Sequence, residues 1–118
     1  MFNTKDKRMK RTYAIGIDCG TSGTKTVLFD SLGKAVASVS EEYPLYQPKN
    51  GYAEQEPEDW AKAMINTVKA VISKSGVKAE EIPGIGISGQ MHGLVVLDEN
   101  DNVIRPAILW NDGRTTNE

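Results

Sequence analysis

The chain has 118 residues, 39% hydrophobic and 25% charged, with a formal net charge of −2. That balance excludes gross disorder, and the length suits one working core better than two independent domains. It gives no electrostatic case for a nucleic-acid surface, and no apolar run is long enough to span a bilayer.

Residues 1–12 form a basic N-terminal tail carrying Lys5, Lys7, Arg8, Lys10 and Arg11. No apolar stretch follows that could act as a signal-peptide core, so a solvated, mobile end is expected. The one cysteine, Cys19, excludes an intrachain disulfide and suits a reducing, cytoplasmic setting. Residues 13–18 (YAIGID) read as a short buried strand ending in the turn cluster Cys19-Gly20-Thr21-Ser22-Gly23. A second strand is expected at 24–29, with Val27 and Phe29 on one face and Leu28 on the other. After the turn Asp30-Ser31-Leu32-Gly33, residues 35–42 alternate as a third strand with one wetter face. Two tight turns in succession demand an antiparallel meander, because parallel strands need long crossovers.

Residues 44–55 read as a loop punctuated by Pro44, Pro48 and Gly51. A helix follows. Pro57 suits its first position, and Glu56, Glu58 and Asp59 suit the positive end of its dipole. Trp60, Met64, Val68, Val71 and Ile72 form one apolar stripe, Lys74 lies in the last turn, and Gly76 stops the helix. Residues 82–88 (IPGIGIS) and 94–98 (LVVLD) read as two further strands, the first buried. Residues 99–102 reverse the chain, and Pro106 divides 103–110 into an edge strand or two short pieces. Residues 112–118 read as the start of another element. The whole is a mixed α/β layer arrangement.

The turn between the first two strands is the first candidate site. Gly20 and Gly23 permit backbone conformations other residues resist and let a ligand approach the main chain. Amide groups in such a turn can converge on phosphate oxygens. Thr21 and Ser22 add hydroxyls, Lys25 adds a cation, and Asp18 is a hard oxygen donor suited to a hydrated Mg²⁺. A tight hairpin that needs glycine for geometry alone accounts for the same composition equally well. The spacing fits neither a Walker loop nor a dinucleotide fingerprint.

The segment DCGTSGTK on the first hairpin of a three-strand meander resembles the first phosphate loop of the actin-like ATPase superfamily. Further along, Ser88-Gly89-Gln90-Met91-His92-Gly93 and Trp110-Asn111-Asp112-Gly113-Arg114 resemble sugar-side motifs of the FGGY carbohydrate kinases. The pair GQMHG and RPAILWNDGR is similar to the xylulose-phosphorylating members, and GYAEQEPEDW before the helix also fits. The resemblance covers residues 13–115. It implies a ribonuclease H-like α/β lobe, ATP and Mg²⁺ as cofactors, and transfer of the γ-phosphoryl group to D-xylulose. It further implies that Gly20, Thr21, Ser22, Gly23 and Lys25 meet the phosphates and that Asp18 acts through the metal. Met91, His92, Asn111 and Asp112 would meet the sugar.

His92 is the only histidine, and without the resemblance a structural role would be the ordinary reading. Trp110 is read as pocket wall or plain core, Arg114 as a structural partner, and Cys19 as a packed turn residue. Asp98, Glu99 and Asp101 read as a solvated turn. In the family the proton-accepting Asp and the adenine pocket come later in the sequence. Residues 13–118 are therefore expected to be the N-terminal part of a first domain, truncated and inactive alone. Its uncovered apolar surface and strand edges should drive self-association into a homo-oligomer. A chaperone-like or actin-like ATP-binding module, and an FGGY kinase for ribulose, gluconate or glycerol, are the alternatives. Met91-His92 argues against glycerol.

Overall fold

Alternating apolar and polar residues build a four-stranded sheet. Its strands are β1 (Ala14–Cys19), β2 (Gly23–Phe29), β3 (Ala35–Glu42) and β5 (Gly84–Gly89), in the order β3-β2-β1-β5. The computed structural model describes residues 12–114. The bulk of the expected basic tail (1–11) and the end of the expected final element (115–118) lie outside the described residues. β1, β2 and β3 form the expected antiparallel meander, and β5 joins β1 in parallel after a crossover through α1 (Pro57–Ser75).

The period-2 pattern sends Ile15 and Ile17 of β1, and Thr24, Thr26 and Leu28 of β2, to the face that α1 covers. Ile15, Ile17, Leu28, Ala37 and Val71 form the main core, with Met64, Val68 and Ile72 packed against it. Each fully buried aliphatic side chain there contributes about 1.5–3 kcal/mol. Two threonines enter this core as a pair. Thr67 Oγ1 donates to the Ala63 carbonyl (2.7 Å), so the Thr26 hydroxyl donates to Thr67 Oγ1 (2.7 Å). The helix starts at Pro57 with Glu58 and Asp59 in its first turn. It stops at Gly76, whose left-handed φ of 74° directs its N–H to the Ile72 carbonyl.

Trp60 leaves the stripe of the main core. It packs on a second cluster of Ala53, Ala107 and Leu109. This cluster sits on a small sheet that pairs β4 (Glu54–Gln55) with β6 (Ala107–Ile108).

Three expectations need correction. The strand at 82–88 begins only at Gly84 and is exposed along its length, with Ile85 and Ile87 at 55% and 65% exposure. They share the face of Ile15 and Ile17, but β5 is a sheet edge and the two isoleucines stand beyond the cover of α1. No continuous strand forms at 94–98. Leu94 and Leu97 make only isolated bridges, to Ile108 and Val103, around a turn in which Asp101 has a φ of 64°. Finally, the loop at 44–55 ends in β4, which the sequence concealed because both its residues are polar yet buried.

Candidate functional site

The hairpin between β1 and β2 closes when the Gly20 N–H donates to the Gly23 carbonyl (2.9 Å), leaving Thr21 and Ser22 at the tip. Neither glycine takes a positive φ, so conformational freedom is not why they are there. Close approach is the reason at Gly23. A Cβ there would lie 2.6 Å from the Glu41 carbonyl oxygen and 3.1 Å from Glu42 Cα, both backbone atoms of β3.

Tyr43, at the end of β3, holds the hairpin from beneath. Its N–H donates to the Ser22 carbonyl (3.3 Å), and its hydroxyl donates to the Gly20 carbonyl (2.5 Å). With that proton committed, the Thr24 hydroxyl donates to the Tyr43 oxygen (3.2 Å). Burial, with the neighbouring Cys19 sulfur 3.5 Å away, pushes the Tyr43 pKa up to about 12. Cys19 is thus packed into the base of the turn, as the sequence suggested.

Asp18, one residue before the end of β1, lies on the sheet face away from α1. Strand register sets Lys25 of β2 on one side of it and Ser88 of β5 on the other, with Ser40 of β3 beyond Lys25. Asp18 forms no ion pair among the described residues, and no three His, Cys, Asp or Glu side chains converge there as a metal cage. Mg²⁺ keeps most of its waters and takes only one or two carboxylates, and Asp18 fits such a donor set.

Two clefts open at this end of the sheet. One, of about 310 Å³, is lined by Asp18, Ser22, Gly23, Lys25, Glu41 and Glu42. The other, of about 440 Å³, brings Asp18, Gly20 and Thr21 against Gln90, Met91, His92 and Trp110. Residues more than 70 positions apart in sequence thereby share one cavity. Met91 is 72% exposed, and His92 has a φ of 60°. A left-handed backbone at a non-glycine residue is uncommon and costs about 1–3 kcal/mol, so the surrounding loop must hold it in place. Trp110 is exposed, and its indole N–H donates to Thr21 Oγ1 (3.4 Å).

Asn111 is exposed next to Trp110, whereas Asp112 faces inward. Asp112 Oδ2 accepts the Ala53 N–H (2.6 Å) and pairs with Arg114 (2.7 Å). Arg114 also binds Glu54 and lies over the Tyr52 ring, 3.9 Å from its centroid. Arg105 pairs with Glu54 as well (2.5 Å). The hydrogen bond from Arg114 holds the Asp112 carboxyl well below the usual carboxylate range and is the largest influence lowering Glu54. Arg114 is therefore the structural partner expected, and the Asp112 carboxylate is engaged in the same knot.

Two residues were given no site role from the sequence, although Gln90 lies inside the GQMHG motif. Gln55 is fully buried and joins the hairpin tip to α1, and Gln90 extends that contact into the loop carrying Met91 and His92. The available signal was the polar pair Glu54-Gln55 directly ahead of a helix start, beside an apolar Ala53.

Residues 13–118 match the family described as the FGGY family of carbohydrate kinases, N-terminal domain. The chain is 55% identical over 104 residues to a xylulose kinase of Bacillus subtilis, covering 88% of this chain and 21% of that protein. It therefore spans about a fifth of the length of the curated relatives it matches. A crystal structure of ligand-bound xylulose kinase from Lactobacillus acidophilus aligns at a TM-score of 0.83 and 40% identity. That alignment covers 90% of this chain and 21% of the other. A gluconate kinase from Lactobacillus acidophilus aligns at 0.84 and 39%, covering 91% and 21%.

Proposed function

This chain belongs to the FGGY family of carbohydrate kinases, and on that premise we propose that it supplies the phosphate-loop and sugar-loop part of an ATP-dependent D-xylulose kinase. The observation that carries this reading is the shared cavity, with Asp18, Gly20 and Thr21 on one side and Met91 and His92 on the other. In the proposed reaction the 5-hydroxyl oxygen of D-xylulose attacks the γ-phosphorus of ATP. The bond to the bridging oxygen breaks, ADP leaves, and the hydroxyl proton passes to a base outside the described residues. Such a transfer depends mainly on positioning and charge neutralisation.

The residues divide by role. Thr21, Ser22, Gly23 and Lys25 meet the phosphates, with Gly20 contributing mainly by lacking a side chain, since its N–H and carbonyl are both engaged. The phosphate cleft is lined by Asp18 and Glu42 beside Lys25, whereas the Glu41 carboxylate turns to Asn66 of α1. A polyphosphate therefore enters with a divalent counter-charge, which supports a Mg²⁺ requirement met at Asp18. Bound Mg²⁺ would neutralise charge on the phosphates. Met91 gives the sugar an apolar contact and His92 a hydrogen bond to a hydroxyl; Trp110 forms the adjoining wall, Asn111 is exposed beside it, and Asp112, held by Arg114 and the Ala53 N–H, braces that segment from behind. No proton acceptor is assigned among the described residues, and the 118-residue chain alone is expected to consume no ATP with D-xylulose.

Among the described residues no helix is long and apolar enough to cross a membrane. A cytoplasmic setting is proposed from the single cysteine and from ATP as substrate. Self-association is proposed from the exposed β5 edge.

The experiment grafts residues 13–118 in place of the matching segment of the Bacillus subtilis xylulose kinase. ATP consumption is then followed with D-xylulose, ribulose, gluconate and glycerol in turn. The reading expects D-xylulose to give the highest kcat/KM. A preference for gluconate would replace it with the second sugar chemistry that the structural neighbours support.

A further inference from the structure

We propose that Gln55 and Gln90 act together as positioning residues that couple the two sides of this cavity, transmitting occupancy of the hairpin to the Met91-His92 loop. The proposal rests on the reading of the hairpin as a phosphate site. Its basis is a closed ring of hydrogen bonds. The Gln55 Nε2 donates to the carbonyls of Thr21 (2.5 Å) and Pro44 (3.4 Å). Gln55 Oε1 accepts from the Trp60 indole N–H (2.9 Å) and from Gln90 Nε2 (3.2 Å). Gln90 Oε1 accepts the Thr21 hydroxyl (3.3 Å), returning the ring to the hairpin tip. Trp110 then donates to Thr21 Oγ1 from the far wall.

The direction of every bond in the ring follows from one fixed donor. An indole N–H can only donate, so Trp60 fixes which end of the Gln55 amide is oxygen. That leaves the Gln55 amino group for the two carbonyls and makes Gln90 donate through Nε2. The Gln90 oxygen then faces Thr21, whose hydroxyl must donate. All four hydrogen-bonding positions of the Gln55 amide are filled, and the residue is 0% exposed. A buried amide with no spare valence does not adapt locally when one partner moves.

The ring also has the reach that coupling needs. Thr21 lies at the tip that would meet phosphate, and Gln90 directly precedes Met91 and His92. The Gln90 N–H is anchored on the Cys19 carbonyl (3.1 Å), continuing the β1–β5 ladder, so its side chain carries the contact to the tip. A shift of Thr21 on ligand binding therefore passes to Gln90 and on to a loop whose His92 already sits in a left-handed conformation. Coupling of this kind is reciprocal, so sugar in the loop would change phosphate affinity by the same factor by which phosphate changes sugar affinity.

The test follows amide and indole NMR signals of the isotope-labelled 118-residue chain during titration with magnesium tripolyphosphate. In the unmodified chain, signals of Thr21 and Ser22 are expected to move together with those of Met91, His92 and the Trp110 indole. Gln90→Met opens the ring at its more exposed member and leaves the buried Gln55 in place. There the hairpin signals should still move, while the Met91 and His92 shifts fall to about a third or less of the unmodified values. Gln55→Glu keeps the acceptor for Trp60 but removes the donor to Thr21. It should displace the ligand-free Trp110 indole signal, although Trp110 does not touch Gln55. Undiminished loop shifts in Gln90→Met, or an unmoved Trp110 indole in Gln55→Glu with the fold intact, would overturn the coupling. Stationary hairpin signals in the unmodified chain would instead overturn the phosphate reading, and the coupling with it.

Discussion

Substituting Gly23 by alanine sets a steric argument against an entropic one. The new Cβ would meet the Glu41 carbonyl oxygen at 2.6 Å, about 0.8 Å inside ordinary contact, with Glu42 Cα at 3.1 Å. Both neighbours are backbone, so no side-chain rotation relieves the clash. The end of β3 must move away, carrying Tyr43 and its two hydrogen bonds to the hairpin. Overpacking of this kind costs about 1–3 kcal/mol, against which the stiffer unfolded chain returns about 0.4–1. The expected net loss is about 1–2 kcal/mol. Gly86→Ala provides the contrast, because nothing lies within 4 Å of its Cβ and its φ is not positive. Only the entropic effect remains there, a gain of about 0.4–1 kcal/mol. Urea unfolding followed by tryptophan fluorescence should move the two midpoints in opposite directions at unchanged slope. A Gly23→Ala chain as stable as the original would refute the close-approach argument.

The Thr26–Thr67 pair predicts strong non-additivity. Thr67→Val should cost about 1–3 kcal/mol by leaving Thr26 without a partner, while adding Thr26→Val should recover most of that loss in the same unfolding assay. Stability should also fall at both ends of the pH scale. Asp112 and Glu54 have lowered pKa values, so their contribution is present above about 4 and lost as pH drops below it. Tyr43 acts at the other end. The unfolded tyrosine ionises near 10 while the native one holds its proton to about 12, so stability declines as pH rises through that interval. Thermal melts across pH should show a shallower acid branch when Asp112 is replaced by Asn, with the Glu54 part retained, and an unchanged branch would contradict the assignment. The bare edge of β5, with Ile85 and Ile87 exposed, predicts self-association in sedimentation at high concentration. Monomer at every concentration would count against it.

The elements most legible in the sequence were those whose signals are local. The meander followed from two tight turns between alternating runs, and α1 from Pro57, the acidic first turn and Gly76. The exposure of β5 was not legible, because an Ile-Gly repeat reads alike at a sheet centre and at an edge. For the site, DCGTSGTK and GQMHG marked both walls of the cavity, but not why Gly23 is glycine. That depends on β3 passing behind it, a contact between residues far apart in the chain. Gln55 was invisible for a related reason: a buried glutamine is recognised only through partners contributed by four separate segments.

On the proposed reading, one cavity has a nucleotide side at Asp18 and a sugar side at His92. The direct measurement is steady-state kinetics of the grafted enzyme with Asp18→Asn and His92→Ala. Asp18→Asn should lower kcat by about 10²-fold or more with the D-xylulose KM nearly unchanged. His92→Ala should raise the D-xylulose KM by about tenfold and leave the ATP KM alone. A grafted enzyme in which Asp18→Asn turns over as fast as its parent, or in which His92→Ala alters only the ATP KM, would contradict the account.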